Sequence, residues 1–138
     1  YEAADGAKLL YRLLQPKDYD PQTKYPLVLF LHGAGERGDD NVKQLIHGMN
    51  DFASDEIRVK YPCFVVAPQC PKEQKWVDVN WSASTHDMPA QAAGSLRLAM
   101  EAIAQLIVLL LLVRNARDAL RLRVQPGRPA RRSISSIL

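Results

Sequence analysis

A run of five apolar residues, Leu27 to Leu31, ends abruptly at the turn His32-Gly33-Ala34-Gly35. The run does not alternate between apolar and polar residues, which is typical of a strand buried on both faces, as in a parallel sheet. We expect the two glycines to let the backbone turn sharply and present its N–H groups at the carboxyl end of the strand. Ligands of α/β sheets bind at that end of the strands.

The segments around this run alternate between strand patterns and helix patterns. Strands are predicted over residues 8–14, 27–32 and 64–67, and a helix capped by Asp39 or Asp40 is predicted over residues 41–53. A long helix is predicted from about residue 90, with these apolar residues at helical spacing: Leu96, Ala99, Met100, Ile103, Ile107 and Leu110. This order favours an α/β fold with a mostly parallel sheet and helices on both faces.

Charge is distributed unevenly along the chain. The length of 138 residues predicts one domain, and the formal net charge is +3. Seven of the 18 basic residues are arginines after Gln105, where Asp118 is the one acidic residue. Residues 1–105 hold 11 basic and 14 acidic residues, so the excess positive charge belongs to the carboxyl-terminal part. We therefore expect no nucleic acid as a partner of the folded body.

The pattern changes after Val113. We divide the chain into a partial domain, residues 1–113, and an Arg-rich aperiodic tail, residues 114–138, whose composition resembles an out-of-frame reading of GC-rich DNA. The apolar segment at residues 102–113 is shorter than the ~20 residues that span a bilayer, so no membrane span is predicted. No signal-peptide pattern is present, and the sequence assigns no compartment.

Four segments carry a family resemblance: residues 11–14, residues 24–38, Asn41 with Gln44 and Leu45, and residues 61–71. In order and spacing they resemble the amino-terminal half of carboxylesterases of the phospholipase/carboxylesterase group, α/β-hydrolases related to dienelactone hydrolases. The resemblance implies an incomplete α/β-hydrolase fold, a small ester substrate, and catalysis by a Ser–His–acid triad without a metal or other cofactor. It also implies that the backbone N–H of Ala34 is one oxyanion donor, with Gly33 and Gly35 shaping the turn.

The nucleophile that the resemblance implies is missing, since no serine lies in a Gly-x-Ser-x-Gly sequence. No residue can be matched to the family's acid or base either. We therefore interpret the chain as an inactive fragment, truncated or frame-shifted near residues 105–113. The alternative is a non-catalytic binding module whose glycine loop holds an anion or carbonyl group and whose basic tail recruits a partner.

Several single residues allow two interpretations. For His32 a structural role in the loop is favoured over a catalytic base, and His47 and His86 are expected to be solvated. Glu36 and Arg37 are expected to pair with loop backbone and with each other rather than with substrate. Trp81 is a candidate for an acyl pocket, but packing over the sheet edge explains it equally well.

The sequence also predicts free thiols and an unpaired strand. Cys63 and Cys70 lie at opposite ends of a predicted strand and are too far apart for a disulfide, so both are expected to be buried and free. Without the strand that normally carries the nucleophile, the strand at residues 27–32 has an open edge. We expect self-association through that edge.

Overall fold

A computed structural model describes residues 1–124, with side chains described as far as Asp118. Three strands form one sheet: β1 (Tyr11–Leu14), β2 (Leu27–Leu29) and β3 (Phe64–Pro68). The helices are α1 (Met49–Ala53), α2 (Asp55–Lys60) and α3 (Gly94–Val124), and two short 3₁₀ helices occupy Ala34–Glu36 and Lys43–Leu45. The predicted strands therefore exist, each within about three residues of the predicted bounds.

The sheet has the order β1-β3-β2, so β3 is the central strand of the described sheet. β2 runs parallel to β3, with Val28 opposite Val65, whereas β1 runs antiparallel to β3, with Leu13 opposite Val66. The prediction of a mostly parallel sheet is wrong for this part of the chain, because β1 enters the sheet from the opposite direction. All five residues of β3 are buried, which explains why this strand lacks apolar–polar alternation.

Helices cover both faces of the sheet, as predicted. On one face Val65 and Ala67 form a core cluster with Met49 of α1. On the other face Leu98 and Ala99 of α3 pack against the amino-terminal segment, with Leu29 alongside them. Alternate residues of each strand therefore reach different helices, and the turn after β2 is held between two packed layers.

The helix predicted over residues 41–53 is broken into two short helices. Asp40 accepts hydrogen bonds from the backbone N–H groups of Val42 and Lys43, both at 2.9 Å, and so supplies the predicted cap. The 3₁₀ helix that follows ends before Gly48, whose φ of +81° cannot be continued as a right-handed helix. α1 begins only after this glycine, so the periodic apolar pattern predicted one helix where a glycine separates two.

α3 is longer than predicted and buries a different face. It begins at Gly94 and continues through Val113, where the sequence pattern predicts an end, to Val124. Residues 114–124 of the proposed tail are part of this helix, and the rest of the tail lies outside the described residues. The buried apolar positions are Leu98, Ala99, Ala102 and Leu106, whereas Met100 is 55% exposed and Ile107 is 43% exposed.

The length of α3 also bears on the membrane prediction. By length and composition alone, Gly94–Asp118 is long and apolar enough to cross a membrane. The argument from the sequence that this segment is too short to span a bilayer was wrong. It counted only the apolar residues, whereas the helix extends beyond them. The first half of this helix nevertheless packs against the sheet and the amino-terminal segment. That the chain does not span a membrane stays a prediction.

Candidate functional site

The turn after β2 lies at the mouth of a cavity of about 240 Å³. Because β2 and β3 are parallel, their carboxyl ends meet at one edge of the sheet, and each strand delivers its next residues there. His32, Gly33 and Ala34 enter from β2, Cys70 enters from β3, and the loop after β3 contributes Trp81. The candidate site thus lies at the edge of the sheet where the sequence analysis expects ligands to bind.

His32 connects the two strand ends. Its Nε2 accepts the backbone N–H of Cys70 at 2.9 Å, and its Nδ1 lies 2.6 Å from the carbonyl oxygen of Gly33. A nitrogen that accepts an N–H carries no proton, so we assign the proton to Nδ1, which donates to Gly33. Both ring nitrogens are occupied by backbone groups in a side chain that is 6% exposed. This is the arrangement expected of a structural histidine.

Trp76 closes the turn from the other side. Its indole N–H donates to the carbonyl oxygen of His32 at 3.0 Å. Its ring meets the His32 ring edge-on, with centroids 5.3 Å apart. The segment from β2 to Gly33 is therefore held by bonds to both the side chain and the backbone of His32, which restricts where the following N–H groups point.

Ala34 is the first residue of a 3₁₀ helix and is exposed. The N–H groups in the first turn of a helix have no acceptor within that helix, and the Ala34 N–H has none elsewhere among residues 1–124. Its carbonyl oxygen, in contrast, accepts from Arg37 Nε at 2.9 Å. Ala34 therefore supplies a backbone donor without an acceptor in the described part of the chain, in a residue that lines the cavity.

The glycines flanking Ala34 do not have the role that the sequence suggested. Gly33 has extended backbone angles, φ −77° and ψ −175°, which any residue can adopt, and neither Gly33 nor Gly35 has a positive φ. A Cβ on Gly33 would come within 3.0 Å of Glu36 Oε2, whereas a Cβ on Gly35 would meet nothing within 4 Å. The backbone angles at Gly33 therefore do not require glycine, and the Glu36 carboxylate leaves little room for a Cβ there.

Gln69 fixes the loop that follows the 3₁₀ helix, a role that the sequence analysis missed. Its side chain is 1% exposed. It donates to the carbonyl oxygen of Glu36 at 3.1 Å and to Asp40 Oδ1 at 2.9 Å, and it accepts the N–H of Asn41 at 2.6 Å. A polar residue within a fully buried run must find partners. The position of Gln69, next to Pro68 at the end of β3, therefore indicates that it needs polar partners but not which loop supplies them.

Asp40 is the electrostatic centre of this loop. The backbone N–H groups of Lys43 and Val42 and the Gln69 amide all donate to it, and together they hold the pKa of the Asp40 carboxyl well below its usual range. Lys43 also lies 3.4 Å from its second oxygen. The ionised form of Asp40 is thus part of the loop structure near Ala34.

Two cations lie over the exposed ring of Trp81. The Arg37 guanidinium carbon is 5.2 Å from the ring centroid, and Lys75 Nζ is 5.0 Å from it. Arg37 also donates to the backbone carbonyl oxygens of Ala34 and Gln74, which agrees with the predicted pairing to loop backbone. Trp81 lines the cavity and is 51% exposed, so it forms part of the wall.

Glu36 does not pair with Arg37, contrary to the prediction from the sequence. Its carboxylate lies 4.0 Å from His32 Nδ1 and 3.6 Å from His47 Nε2. His47 has a side chain that is 76% exposed, and His86 is exposed in the loop after β3, so both are solvated as predicted. The Glu36 carboxylate therefore lies beside the turn, turned toward histidines rather than toward the neighbouring guanidinium.

A small polar cluster lies beneath the cavity. Ser95 Oγ donates to Gln74 Oε1, and the Cys70 thiol lies 3.5 Å from Ser95 Oγ. Burial raises the pKa of the Cys70 thiol. Cys70 and Cys63 are both free, as predicted, although Cys63 is only half-buried. Ser95 is fully buried and bonded, and within residues 1–124 no serine forms a hydrogen bond with a histidine.

The chain is similar in structure to a thermostable esterase known from its crystal structure. The two share 38% sequence identity with a TM-score of 0.66, over 78% of this chain. The fold is esterase-like. The matched part covers 28% of the esterase, so this chain spans less than a third of that protein's length. No protein-family model matches the chain, and a search of curated proteins found no match.

Proposed function

We propose that this chain supplies the oxyanion-binding part of a serine-type carboxylic ester hydrolase of the phospholipase/carboxylesterase kind. The observation that carries the proposal is the N–H of Ala34, which has no acceptor among the described residues and belongs to an exposed residue that lines a cavity at the carboxyl ends of two parallel strands. The likeness to a thermostable esterase supports the same reaction class.

In this reaction the ester carbonyl oxygen becomes negatively charged when the nucleophile adds. The Ala34 N–H would donate to that oxygen, and one such donor is worth about 3 kcal/mol of transition-state stabilisation. Because His32 and Trp76 fix the turn before the substrate arrives, the donor need not reorganise during the reaction. His32 is not the base in this proposal, since its Nε2 already accepts the Cys70 N–H.

The remaining catalytic groups must come from outside this chain's described residues. The sequence contains no Gly-x-Ser-x-Gly, and Ser95 is buried beneath the cavity with its hydroxyl bonded to Gln74. Trp81, in the cavity wall, would contact the acyl or alcohol part of a small ester. A serine, a base and an acid presented opposite Ala34 would complete the mechanism.

A fluorophosphonate probe tests whether the chain alone has an activated serine. We expect no stoichiometric labelling of the 138-residue chain, because a serine without an adjacent base is a weak nucleophile. A complete serine esterase is the positive control, and Ser95→Ala shows whether any faint signal comes from the buried serine. Stoichiometric labelling of any serine in this chain would contradict the proposal.

Ala34→Pro tests the donor itself. In a protein that joins this chain in frame to a hydrolase segment bearing the serine, the substitution removes the N–H and turnover should fall by about a hundredfold or more. Ala34→Gly, which keeps the N–H, is the matched control and should retain most of the activity. An unchanged rate in folded Ala34→Pro protein would show that Ala34 is not an oxyanion donor.

A further inference from the structure

A second cavity, of about 280 Å³, lies at the opposite edge of the sheet. Its floor is formed by Leu27 and Phe64, which begin β2 and β3, so it opens at the amino ends of the same parallel strands. It shares no lining residue with the cavity at Ala34. Whatever binds here is therefore independent of the proposed ester site.

The walls of this cavity are aromatic on one side. Tyr19, Tyr25 and Phe64 form a cluster in which the ring centroids lie 5.3 to 6.0 Å apart. The Tyr25 hydroxyl accepts the N–H of Asp20 at 3.1 Å, which fixes that ring in the connection between β1 and β2. The three rings thus form one contiguous aromatic surface on this side of the cavity.

The facing wall belongs to α3. Ile107, Leu110, Leu111 and Arg114 line it, and their spacing of three, four and seven residues places them on one face of the helix. This face is apolar up to Arg114, which carries a guanidinium group. The cavity therefore has an apolar body and a cation at one end of its helical wall.

Lys24 also lines the cavity, and its charge is not neutralised there. Neither Lys24 nor Arg114 forms an ion pair with another side chain in the described part of the protein. No Asp or Glu is among the residues that line this cavity. An apolar space with two cations and no acid is complementary to an amphiphile whose polar end is negative.

We infer that this cavity binds a medium-chain carboxylate, with the alkyl chain against the aromatic cluster and α3 and the carboxylate near Lys24 and Arg114. The size of the cavity supports a medium chain, since it lies near the lower limit of ligand pockets, roughly 300 Å³. The carboxylate distinguishes this ligand from a neutral alcohol or alkane, which would leave both cations unpaired.

Calorimetric titration of the 138-residue chain with hexanoate, octanoate and decanoate, below their micellar concentrations, tests the inference. We expect one saturable site whose affinity rises about fourfold for each methylene added, the factor that corresponds to transfer of one CH₂ group out of water. Decanol should bind at least about tenfold more weakly than decanoate, because it cannot pair with the cations. This comparison needs no variant and so does not depend on the folding of one.

Variants locate the site. Arg114→Glu and Lys24→Glu should each weaken decanoate binding by about tenfold, and Leu110→Trp, which fills the cavity, should abolish it. Lys72→Glu makes the same charge change on an exposed residue outside this cavity and should leave affinity within about twofold. Circular dichroism confirms that each variant keeps its helix content.

Three outcomes would overturn the inference. The first is the absence of saturable decanoate binding, and the second is equal affinity for decanoate and decanol. The third is a folded Leu110→Trp variant that binds as the parent chain does. Because none of these measurements involves Ala34 or ester turnover, their failure is distinct from failure of the proposed function.

Discussion

Two buried polar side chains hold the loop that carries Ala34. His32 links the ends of β2 and β3, and Gln69 links the end of β3 to residues 36–41. Each satisfies backbone groups that the loop cannot satisfy by itself, and leaving such groups unpaired in a buried place costs about 1 to 3 kcal/mol apiece. The position of the Ala34 N–H thus depends on two buried side chains elsewhere in the loop and at the strand ends.

Asp40 gives this loop a dependence on pH. Because the pKa of its carboxyl is lowered in the folded state, the stabilisation that it provides is fully present above the unfolded pKa of about 3.9 and is lost as the pH falls through the folded value. We expect Asp40→Asn to be less stable than the parent chain near neutral pH. This difference should shrink as the pH falls below about 4.

Urea unfolding at several pH values measures this difference. Asp39→Asn is the matched control, because Asp39 is an exposed neighbour for which the structure gives no hydrogen bond to the loop. A stability difference between Asp40→Asn and the parent that stays constant down to pH 2 would show that the ionised carboxylate does not hold the loop.

For single residues, the sequence predicted some structural roles and missed others. The cap at Asp40, the free thiols and the structural role of His32 follow from local rules about which groups need partners. The role of Gln69 was missed, because its partners are 28 to 33 residues away and no local pattern marks them. The reason for Gly33 was misjudged, since only the structure shows the Glu36 carboxylate beside it.

At the scale of secondary-structure elements, the interruption between the second 3₁₀ helix and α1 depends on Gly48. Its φ of +81° is costly for any residue with a Cβ, and an added Cβ would lie 3.2 Å from Phe30 Cε2. Gly48→Ala should therefore lower the free energy of unfolding by about 1 to 2 kcal/mol. Gly35→Ala, whose Cβ meets nothing and whose φ is not positive, is the control.

Denaturant titration of the two alanine variants provides the comparison. Equal stability of Gly48→Ala and Gly35→Ala would mean that the helix interruption is not maintained by the left-handed glycine. The periodic pattern of apolar residues could not reveal this interruption, because periodicity counts side chains and is insensitive to one backbone angle.

α3 shows a second way in which the pattern of apolar residues fails to predict the structure. Its segment around Leu106–Val113 is apolar on every side, so no periodicity distinguishes the buried face from the exposed one. Small residues, Ala99 and Ala102, allow the close approach to the rest of the domain, while bulkier neighbours remain exposed. Tertiary packing therefore selected a face that the spacing of large apolar residues did not predict.

The whole molecule exposes an unusual amount of apolar surface. The exposed residues of α3 include Val108, Leu109, Leu111 and Leu112, each more than half exposed. β2 has β3 as its one strand partner within residues 1–124, so its other edge is unpaired there. Residues 120–124 alternate between apolar residues and arginine, a pattern that also suits a strand, but they belong to α3 and do not fill this edge. Self-association through the edge stays a prediction.

We expect the chain to bind the hydrophobic dye ANS and to unfold over a broad temperature range. Replacing Leu109 and Leu112 together by Gln should reduce dye fluorescence, because both side chains are exposed on α3. Met88→Gln is the control, since Met88 is 81% exposed but lies in a loop away from that helix. A dye-negative monomer with a sharp cooperative transition would contradict this expectation.

At the scale of the molecule, the sequence predicted the α/β class, the three strands and the edge of the sheet where the candidate site lies. It did not predict the strand order or the direction of β1, because these depend on pairing between residues 37 to 57 positions apart. The division at residue 113 remains a prediction, and residues 125–138 lie outside the described part.

The central place of β3 has a consequence for how the protein is made. β1 and β2 are synthesised first, yet within residues 1–124 the sheet partner of each is β3, so neither can form these pairs while the growing chain ends before Phe64. A nascent chain of that length carries two exposed apolar strands and the loop of Ala34 with nothing to hold them. Because the five-residue strand β3 is translated last of the three strands, the sheet and the turn can form together only after β3 has been synthesised.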